Sequence, residues 1–241
     1  MCKVMGIVNV TPDSFSDGGQ FFKPEEAIRR AKNLIEDGAD IIDLGGESTR
    51  PGATPILWEE EWSRLEPVLA GLQAIEQSNN PNNRTILSVD TYHPETAERA
   101  IAAGAHIINC VYADPIPEML KLLEGNDAEL VMPASALSTK HQALGTRLYL
   151  DPMIGFNTTR EEDIELLRSI PDLAKKGRVL VGASRKRIVK KLVGEKSAVG
   201  KNVGGNVAIA VWAAMQGASV VRVHDVKETV QAIRVVEKLK G

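Results

Sequence analysis

The chain has 241 residues and a net charge of −3, and 43% of its residues are hydrophobic whereas 4% are aromatic. This length provides enough apolar material for one large α/β domain, and the small acidic charge provides no field for gripping nucleic acid or an anionic membrane. Cys2 and Cys110 lie too far apart in sequence to suggest a metal-binding motif or a disulfide framework, which favours a reducing compartment. We see neither a signal-peptide pattern nor an apolar run of the ~20 residues that cross a bilayer, so we expect a cytoplasmic protein.

The chain begins with an apolar strand predicted over residues 4–8, and a helix with one apolar face is predicted after Pro24. Gly38 ends that helix, because a residue in the left-handed conformation is often required there. A short strand rich in β-branched residues follows and ends at the polar Asp43. This order of helix, glycine, buried strand and polar residue is typical of the βα units of a parallel sheet.

The same pattern occurs three times, at residues 38–43, 104–109 and 217–222. Further strands are predicted at residues 85–89, 129–132, 148–150 and 179–181. Eight βα units in about 250 residues indicate a TIM (β/α)8 barrel, so we predict a single α/β domain of this type over residues 1–241. The alternative is a doubly wound open sheet, which is disfavoured because no Gly-x-Gly-x-x-Gly follows the first strand.

Polar side chains follow almost every predicted strand. They are Asn9, Asp43, Asp90, Asn109, Asp151, Ser184, Lys186, Arg222 and His224. The active site of such a barrel lies at the carboxyl ends of its strands, so we expect these side chains to converge. Each Asp or Asn alone could simply cap the next helix, but helix capping does not call for Lys, Arg or His.

Two long polar loops, at residues 9–19 and 45–53, follow the first two strands. Loops of this length are more often functional than plain connections, although a surface loop without a role is the alternative. Their sequences, MGIVNVTPDSFSDGG at 5–19 and IDLGGESTRPGA at 42–53, resemble the two loop signatures of the dihydropteroate synthases. Shorter matches follow in the same order at residues 88–91, 151–156, 182–186 and 222–225.

The resemblance extends from residue 3 to about residue 226. It implies a transferase of folate biosynthesis, which condenses 6-hydroxymethyl-7,8-dihydropterin pyrophosphate with 4-aminobenzoate to give 7,8-dihydropteroate and pyrophosphate. The pterin-binding residues of that family match Asp90, Asn109, Asp151 and Lys186. The chemistry agrees, because a carboxylate such as Asp151 can accept hydrogen bonds from both the amino group and the neighbouring ring N–H of a pterin.

The resemblance also implies an anion site and a metal. The pyrophosphate-binding residues of the family match Arg50, Arg222 and His224, and Asn9 matches the residue beside Mg²⁺. Thr49, Pro51 and Ser184 match residues of the 4-aminobenzoate site. Because the leaving pyrophosphate is negative and the pterin methylene becomes cationic, we expect catalysis by charge stabilisation and positioning. We assign catalysis to Asp90, Lys186, Arg222 and His224, without a general base.

This sequence departs from the family pattern at three places. Cys110 stands where the family usually has Asp, and Met153 stands where it has Gly. The segment 133–147 is short, so only a stub of a fifth helix fits, with Ser138 as its N-cap and Gly145 as its end. We expect a neighbouring segment or a second subunit to cover strands five and six, and we expect a homodimer.

Two other functions remain open. A paralogue that binds pterin without condensing it would share the fold, but it should have lost some of the polar strand ends. A pterin-dependent methyltransferase would share the pterin site. Its substrate carries no pyrophosphate, however, so Arg50 and the first long loop would have no role in it.

Overall fold

The computed structural model describes residues 1–11, 23–48, 53–78, 85–194 and 202–240, apart from the side chains of residues 75–78, 142 and 143. Eight parallel strands close into a barrel in chain order, with the last strand paired to the first. The strands are β1 (Lys3–Asn9), β2 (Ile41–Gly45), β3 (Ile86–Asp90), β4 (Ile107–Asn109), β5 (Glu129–Pro133), β6 (Leu148–Asp151), β7 (Arg178–Val181) and β8 (Val220–Val223). The predicted TIM barrel is therefore confirmed, and the open sheet is excluded.

The α-helices of the described ranges connect these strands. They are α1 (Pro24–Glu36), α2 (Trp58–Ser78), α3 (Pro94–Ala102), α4 (Ile116–Leu122), α5 (Arg160–Arg168), α6 (Ile170–Ala174), α7 (Arg187–Val193), α8 (Val203–Met215) and α9 (Val226–Leu239). Their apolar faces cover the barrel: Ala27, Ala31 and Leu34 of α1, spaced as the sequence predicts, are buried in the main core. Within the described ranges, every helix is too short or too polar to pass through a membrane.

The glycines of the repeated pattern end their helices as predicted. Gly38 has φ +97°, and Gly104 and Gly217 have φ values of +86° and +101°. Glycine adopts this left-handed conformation without the steric cost that a Cβ would add. The chain can therefore turn sharply from each helix into the next buried strand.

The barrel interior starts with a layer of apolar side chains. They are Met5, Ile41, Ile107, Val131, Tyr149, Leu180 and Val220. Residues two positions apart in a strand face the same side of the sheet. Two positions beyond four members of this layer are Asp43, Asn109, Asp151 and Arg222. Because side chains alternate along each strand, these polar residues lie next to the apolar layer, on its carboxyl-terminal side.

The connection between β5 and β6 differs from the prediction. Instead of a stub of α-helix it contains two 3-10 segments, Ala134–Ala136 and Thr139–Arg147. Ser138 precedes the second segment as predicted, and its backbone N–H donates to His141 Nδ1 at 3.2 Å. Gly145 lies inside that segment, with φ +40°, and does not end it. The tighter 3-10 turns let a short connection span the two strands.

This connection covers the outer faces of β5 and β6 itself. Both strands are buried almost throughout, and Ala136, Leu137 and Leu144 pack against the main core. The Arg147 guanidinium also donates to the carbonyl oxygens of Leu123 and Ala128, which ties the segment to the end of α4. The expected cover over the two strands is thus provided within the chain, and their burial needs no second subunit.

Candidate active site at the mouth of the barrel

The mouth of the barrel, which we define as the carboxyl ends of the eight strands, is organised around Arg222 of β8. Its Nε donates to Asp43 Oδ2 at 2.6 Å, and its Nη2 donates to Asp90 Oδ2 at 2.6 Å. Asp43 is fully buried in β2, and Asp90, at the end of β3, is 9% exposed. Two carboxylates therefore share one guanidinium in a site with little water, where such bonds are strong.

Asp43 accepts two further hydrogen bonds. Ser88 Oγ donates to Asp43 Oδ1 at 2.5 Å, and Asn109 Nδ2 donates to Asp43 Oδ2 at 3.2 Å. Two other buried oxygens, Asp90 Oδ1 and Asn109 Oδ1, have no hydrogen-bond partner among the described residues. Because unpaired buried acceptors are costly, these two oxygens indicate a ligand that brings N–H or O–H donors.

Ionisation in this network follows from burial and from the shared cation. Burial raises the pKa of Asp90 to about 7, although the Arg222 guanidinium opposes that shift. Burial lowers the pKa of Arg222, but the nearby Asp43 and Asp90 carboxylates outweigh it, so this pKa lies above its ordinary value. The guanidinium therefore stays charged, whereas Asp90 takes up a proton as the pH falls through about 7.

Lys186 and Asp151 form the other side of the mouth. Lys186 Nζ donates to the carbonyl oxygen of Ile154 at 2.5 Å and lies 4.2 Å from the centre of the Phe156 ring. Burial lowers the pKa of Lys186 to about 8, and the Asp151 carboxylate opposes this shift. Burial raises the pKa of Asp151, and Lys186 is the main group that lowers it. The cation and the carboxylate thus still act on each other across the mouth, so the short β5–β6 connection has not separated them.

His224 and Ser184 lie side by side after β8 and β7. His224 Nδ1 is 3.1 Å from Ser184 Oγ, which also accepts from the His224 backbone N–H at 3.3 Å. Beneath them, Asp225 accepts from Arg185 Nη2 at 2.9 Å and from Asn206 Nδ2 at 2.7 Å. These contacts join the loops after β7 and β8, so an imidazole and a hydroxyl are held together beside Arg222.

Comparison with known proteins agrees with this geometry. The family model for pterin binding enzymes matches residues 5–145 and 134–224. A dihydropteroate synthase of Staphylococcus haemolyticus is 34% identical over 261 residues, which cover 99% of this chain and 95% of the relative. The solved structure of Xanthomonas albilineans dihydropteroate synthase with 4-aminobenzoic acid is 38% identical, with a TM-score of 0.86 over 100% of this chain and 94% of that chain.

The chain belongs to the dihydropteroate synthase family. The Xanthomonas albilineans enzyme in complex with 7,8-dihydropteroate is also similar, with 36% identity and a TM-score of 0.82 over 100% of this chain and 94% of that chain. Likeness at this level over the whole chain means that the barrel fold is shared.

The departures from the family pattern leave the mouth in place. The Cys110 thiol is buried and donates to the Tyr112 carbonyl oxygen at 3.4 Å, and burial raises its pKa to about 12. Met153 has φ +65°, a left-handed conformation in which the family's glycine would be unstrained. Its backbone N–H donates to Asp151 Oδ1 at 2.7 Å, so the strained turn still orients that carboxylate.

One further predicted family position is described at the end of β1, and three others are not among the described residues. Asn9 ends β1, is half-buried and lies beside Gly45 in the strand register. Thr49 and Arg50 lie outside the described residues, as do Pro51 and residues 12–22 of the first long loop. Within the described ranges, no three His, Cys, Asp or Glu side chains are grouped as a metal site.

The prediction missed two contributors to the site. Asp43 was recognised as a strand end and Ser88 as part of the match at residues 88–91, but neither was given a role. Ser88 lies two residues before Asp90 in β3, on the same face, so strand alternation alone could have brought it to attention.

Proposed function

We propose that this chain is a dihydropteroate synthase, a transferase that joins 6-hydroxymethyl-7,8-dihydropterin pyrophosphate to 4-aminobenzoate and releases pyrophosphate in folate biosynthesis. The observation that carries the proposal is the pair of buried acceptors, Asp90 Oδ1 and Asn109 Oδ1, which have no partner in the described part of the chain and lie in a mouth that also contains Arg222 and Lys186. Such a mouth suits a flat heterocycle with several N–H donors that is joined to an anion.

The pterin would lie between the two sides of the mouth. Asp151 would accept hydrogen bonds from the pterin amino group and the adjacent ring N–H, while Asp90 and Asn109 would meet the neighbouring edge. The Lys186 ammonium would donate to ring acceptors, and the Phe156 ring beside it offers an apolar surface. A pterin bound in this way has its polar edge buried and its methylene directed to the open end of the mouth.

The leaving pyrophosphate would be bound by Arg222 and His224, with Arg50 as a further cation. The bonds to Asp43 and Asp90 use two of the five N–H donors of the Arg222 guanidinium, which leaves donors for a phosphate oxygen. As the bond to pyrophosphate breaks, negative charge grows on the leaving group and positive charge grows on the pterin methylene. Arg222 and His224 stabilise the first charge, and the Asp90 carboxylate stabilises the second.

The amine of 4-aminobenzoate carries a free lone pair, so its attack needs no strong base. Thr49, Pro51 and Ser184 would position that second substrate. Catalysis would consist of orientation and charge stabilisation by the residues of the mouth.

Mg²⁺ is part of the proposal. It usually retains several waters and binds substrate phosphates, so a single protein oxygen is sufficient to hold it, and the half-buried Asn9 at the mouth provides one. When bound, the ion would neutralise charge on the pyrophosphate. We expect turnover to stop in excess chelator and to return when Mg²⁺ is added. Full turnover in chelator would contradict this part of the proposal.

We also propose that the whole chain acts as one domain in a homodimer in the cytoplasm. Helices α8 and α9 expose a continuous apolar face that includes Trp212, Met215 and Val235, each about half exposed. Apolar faces of this kind commonly form interfaces, and a second copy with the same face would be self-complementary. Sedimentation should give a dimer for the native chain and a monomer for Trp212→Glu; a native monomer would refute the dimer.

A coupled assay of pyrophosphate release tests the function directly. Release should require both the dihydropterin pyrophosphate and 4-aminobenzoate, and 7,8-dihydropteroate should form in equal amount. A paralogue without activity would bind the dihydropterin in calorimetry but release nothing, and a methyltransferase would need a methyl donor instead. The retained polar strand ends favour the synthase over both alternatives.

A further inference from the structure

The Asp43 carboxylate lies below the proposed ligand position and is connected to three of its neighbours. Among the described residues, Oδ1 accepts only from Ser88, whereas Oδ2 accepts from both Asn109 and Arg222. Asp43 has no exposed surface. It therefore influences a ligand through the residues that it holds.

The first of these residues is Asn109. Its amide could point either the NH2 group or the carbonyl oxygen at Asp43, but two oxygens facing each other would repel. The NH2 group faces Asp43 Oδ2 at 3.2 Å, so the carbonyl oxygen must point away, and it has no partner among the described residues. Asp43 thus determines that Asn109 offers a ligand an acceptor and not a donor.

The second residue is Arg222. A guanidinium beside a single carboxylate prefers to bind both of its oxygens with two parallel N–H bonds. Here the Nε–H donates to Asp43, so Arg222 donates to only one oxygen of Asp90. The other oxygen, Asp90 Oδ1, has no partner among the described residues. Without Asp43, the Arg222 guanidinium could donate to both oxygens of Asp90, and Asp90 Oδ1 would no longer be available to a ligand.

We propose that Asp43 is a positioning residue that makes the mouth selective for the reduced pterin. This inference rests on the proposed function and names the residue that sets the preference for its reduced substrate. A 7,8-dihydropterin has an N–H at ring position 8, on the edge that Asp90 and Asn109 would meet, whereas the oxidised pterin has a lone pair there. Two acceptors held open on that edge favour the N–H and repel the lone pair.

The test measures the dissociation constants of 6-hydroxymethyl-7,8-dihydropterin and of oxidised 6-hydroxymethylpterin by calorimetry. The native chain should prefer the reduced form by about 10-fold or more, because the oxidised form loses a hydrogen bond to a charged acceptor. Asp43→Leu should lower both affinities and reduce the preference to about threefold or less, since both acceptors are no longer held open.

Two variants serve as matched controls. In Asp43→Asn the amide oxygen can still accept from Asn109 and Arg222, while the new NH2 group donates to the Ser88 hydroxyl, so the preference should persist. Ser88→Ala removes the bond to the oxygen that faces away from both residues, and the preference should again persist. Asp43→Ser leaves room for water beside Arg222, and it replaces Asp43→Leu if that variant does not fold in a thermal scan.

A merely structural role for Asp43 would lower both affinities by the same factor and leave their ratio unchanged. That result, a native chain without preference, or a loss of preference in either control would overturn the inference. If the native chain binds no dihydropterin at all, the proposed function fails; if it binds and turns over with an unchanged ratio in Asp43→Leu, only the role of Asp43 fails.

Discussion

Replacing Arg222 with Met removes the cation that two buried carboxylates share, and its cost can be worked out from the contacts. Both ion pairs are 2.6 Å long, and the Arg222 side chain is 20% exposed while that of Asp43 is not exposed. Removing one partner of a buried pair costs about 3–5 kcal/mol, because the remaining charge stays desolvated. Since Arg222 is partly exposed, we expect a loss of about 3 kcal/mol in the free energy of unfolding at pH 8.

The loss should depend on pH in a defined direction. The pKa of Asp90 is already raised from 3.8 to about 7 in the folded chain, and Arg222 is the main group that lowers it. Without Arg222 that pKa rises further, so folded Asp90 keeps its proton above pH 7. A carboxyl whose pKa is higher in the folded state destabilises the fold as pH rises between its unfolded and folded values. In the native chain this fall in the free energy of unfolding ends at about pH 7, the folded pKa of Asp90. In Arg222→Met the free energy of unfolding should continue to fall above pH 7, by about 1.4 kcal/mol per pH unit.

Urea unfolding at pH 6, 7 and 8, followed by tryptophan fluorescence, measures both effects. Arg168→Met is the matched control, because the Arg168–Glu165 pair is more than half exposed on both sides. Such a surface pair should change stability by less than about 1 kcal/mol at every pH. A loss for Arg222→Met that is equally small and independent of pH would refute the reading of Arg222 as the shared counterion of Asp43 and Asp90.

Three further predictions concern the remaining residues of the mouth. The affinity for phosphate-free dihydropterin, measured by calorimetry, should rise with pH near 7 as Asp90 loses its proton and should fall above about pH 8 as Lys186 loses its proton. Lys186→Arg should remove only the fall above pH 8. A monotonic profile would contradict this pairing. Asp151→Asn should weaken dihydropterin binding by about 10-fold or more while thermal stability changes little, because one oxygen becomes a donor facing donors; unchanged affinity would remove Asp151 from the site. Met153→Gly should raise the free energy of unfolding by about 1 kcal/mol by relieving the left-handed strain, whereas Met153→Ala should give no gain in the same urea titration.

Much of the fold could be predicted because its signals are local. Gly38 and its two equivalents are followed by short runs of β-branched residues, and both features depend on neighbouring residues only. The alternation of side chains along a strand, together with closure into a barrel, was enough to bring Asp90, Asn109, Asp151 and Arg222 to one mouth. The β5–β6 connection was predicted less well, because a short segment can form α or 3-10 turns and packing against the core decides between them.

The sequence by itself determined which polar residues end the strands, since strand periodicity and helix termination are properties of short segments. Only the tertiary structure decided how those residues pair. Arg222 lies 179 positions from Asp43 and 132 from Asp90, and their charges alone do not say which carboxylate it binds. Nor could the sequence state which way the Asn109 amide turns, because that depends on a carboxylate from another strand. The pairing is settled by the three-dimensional balance of desolvation, charge and hydrogen-bond geometry inside the closed barrel.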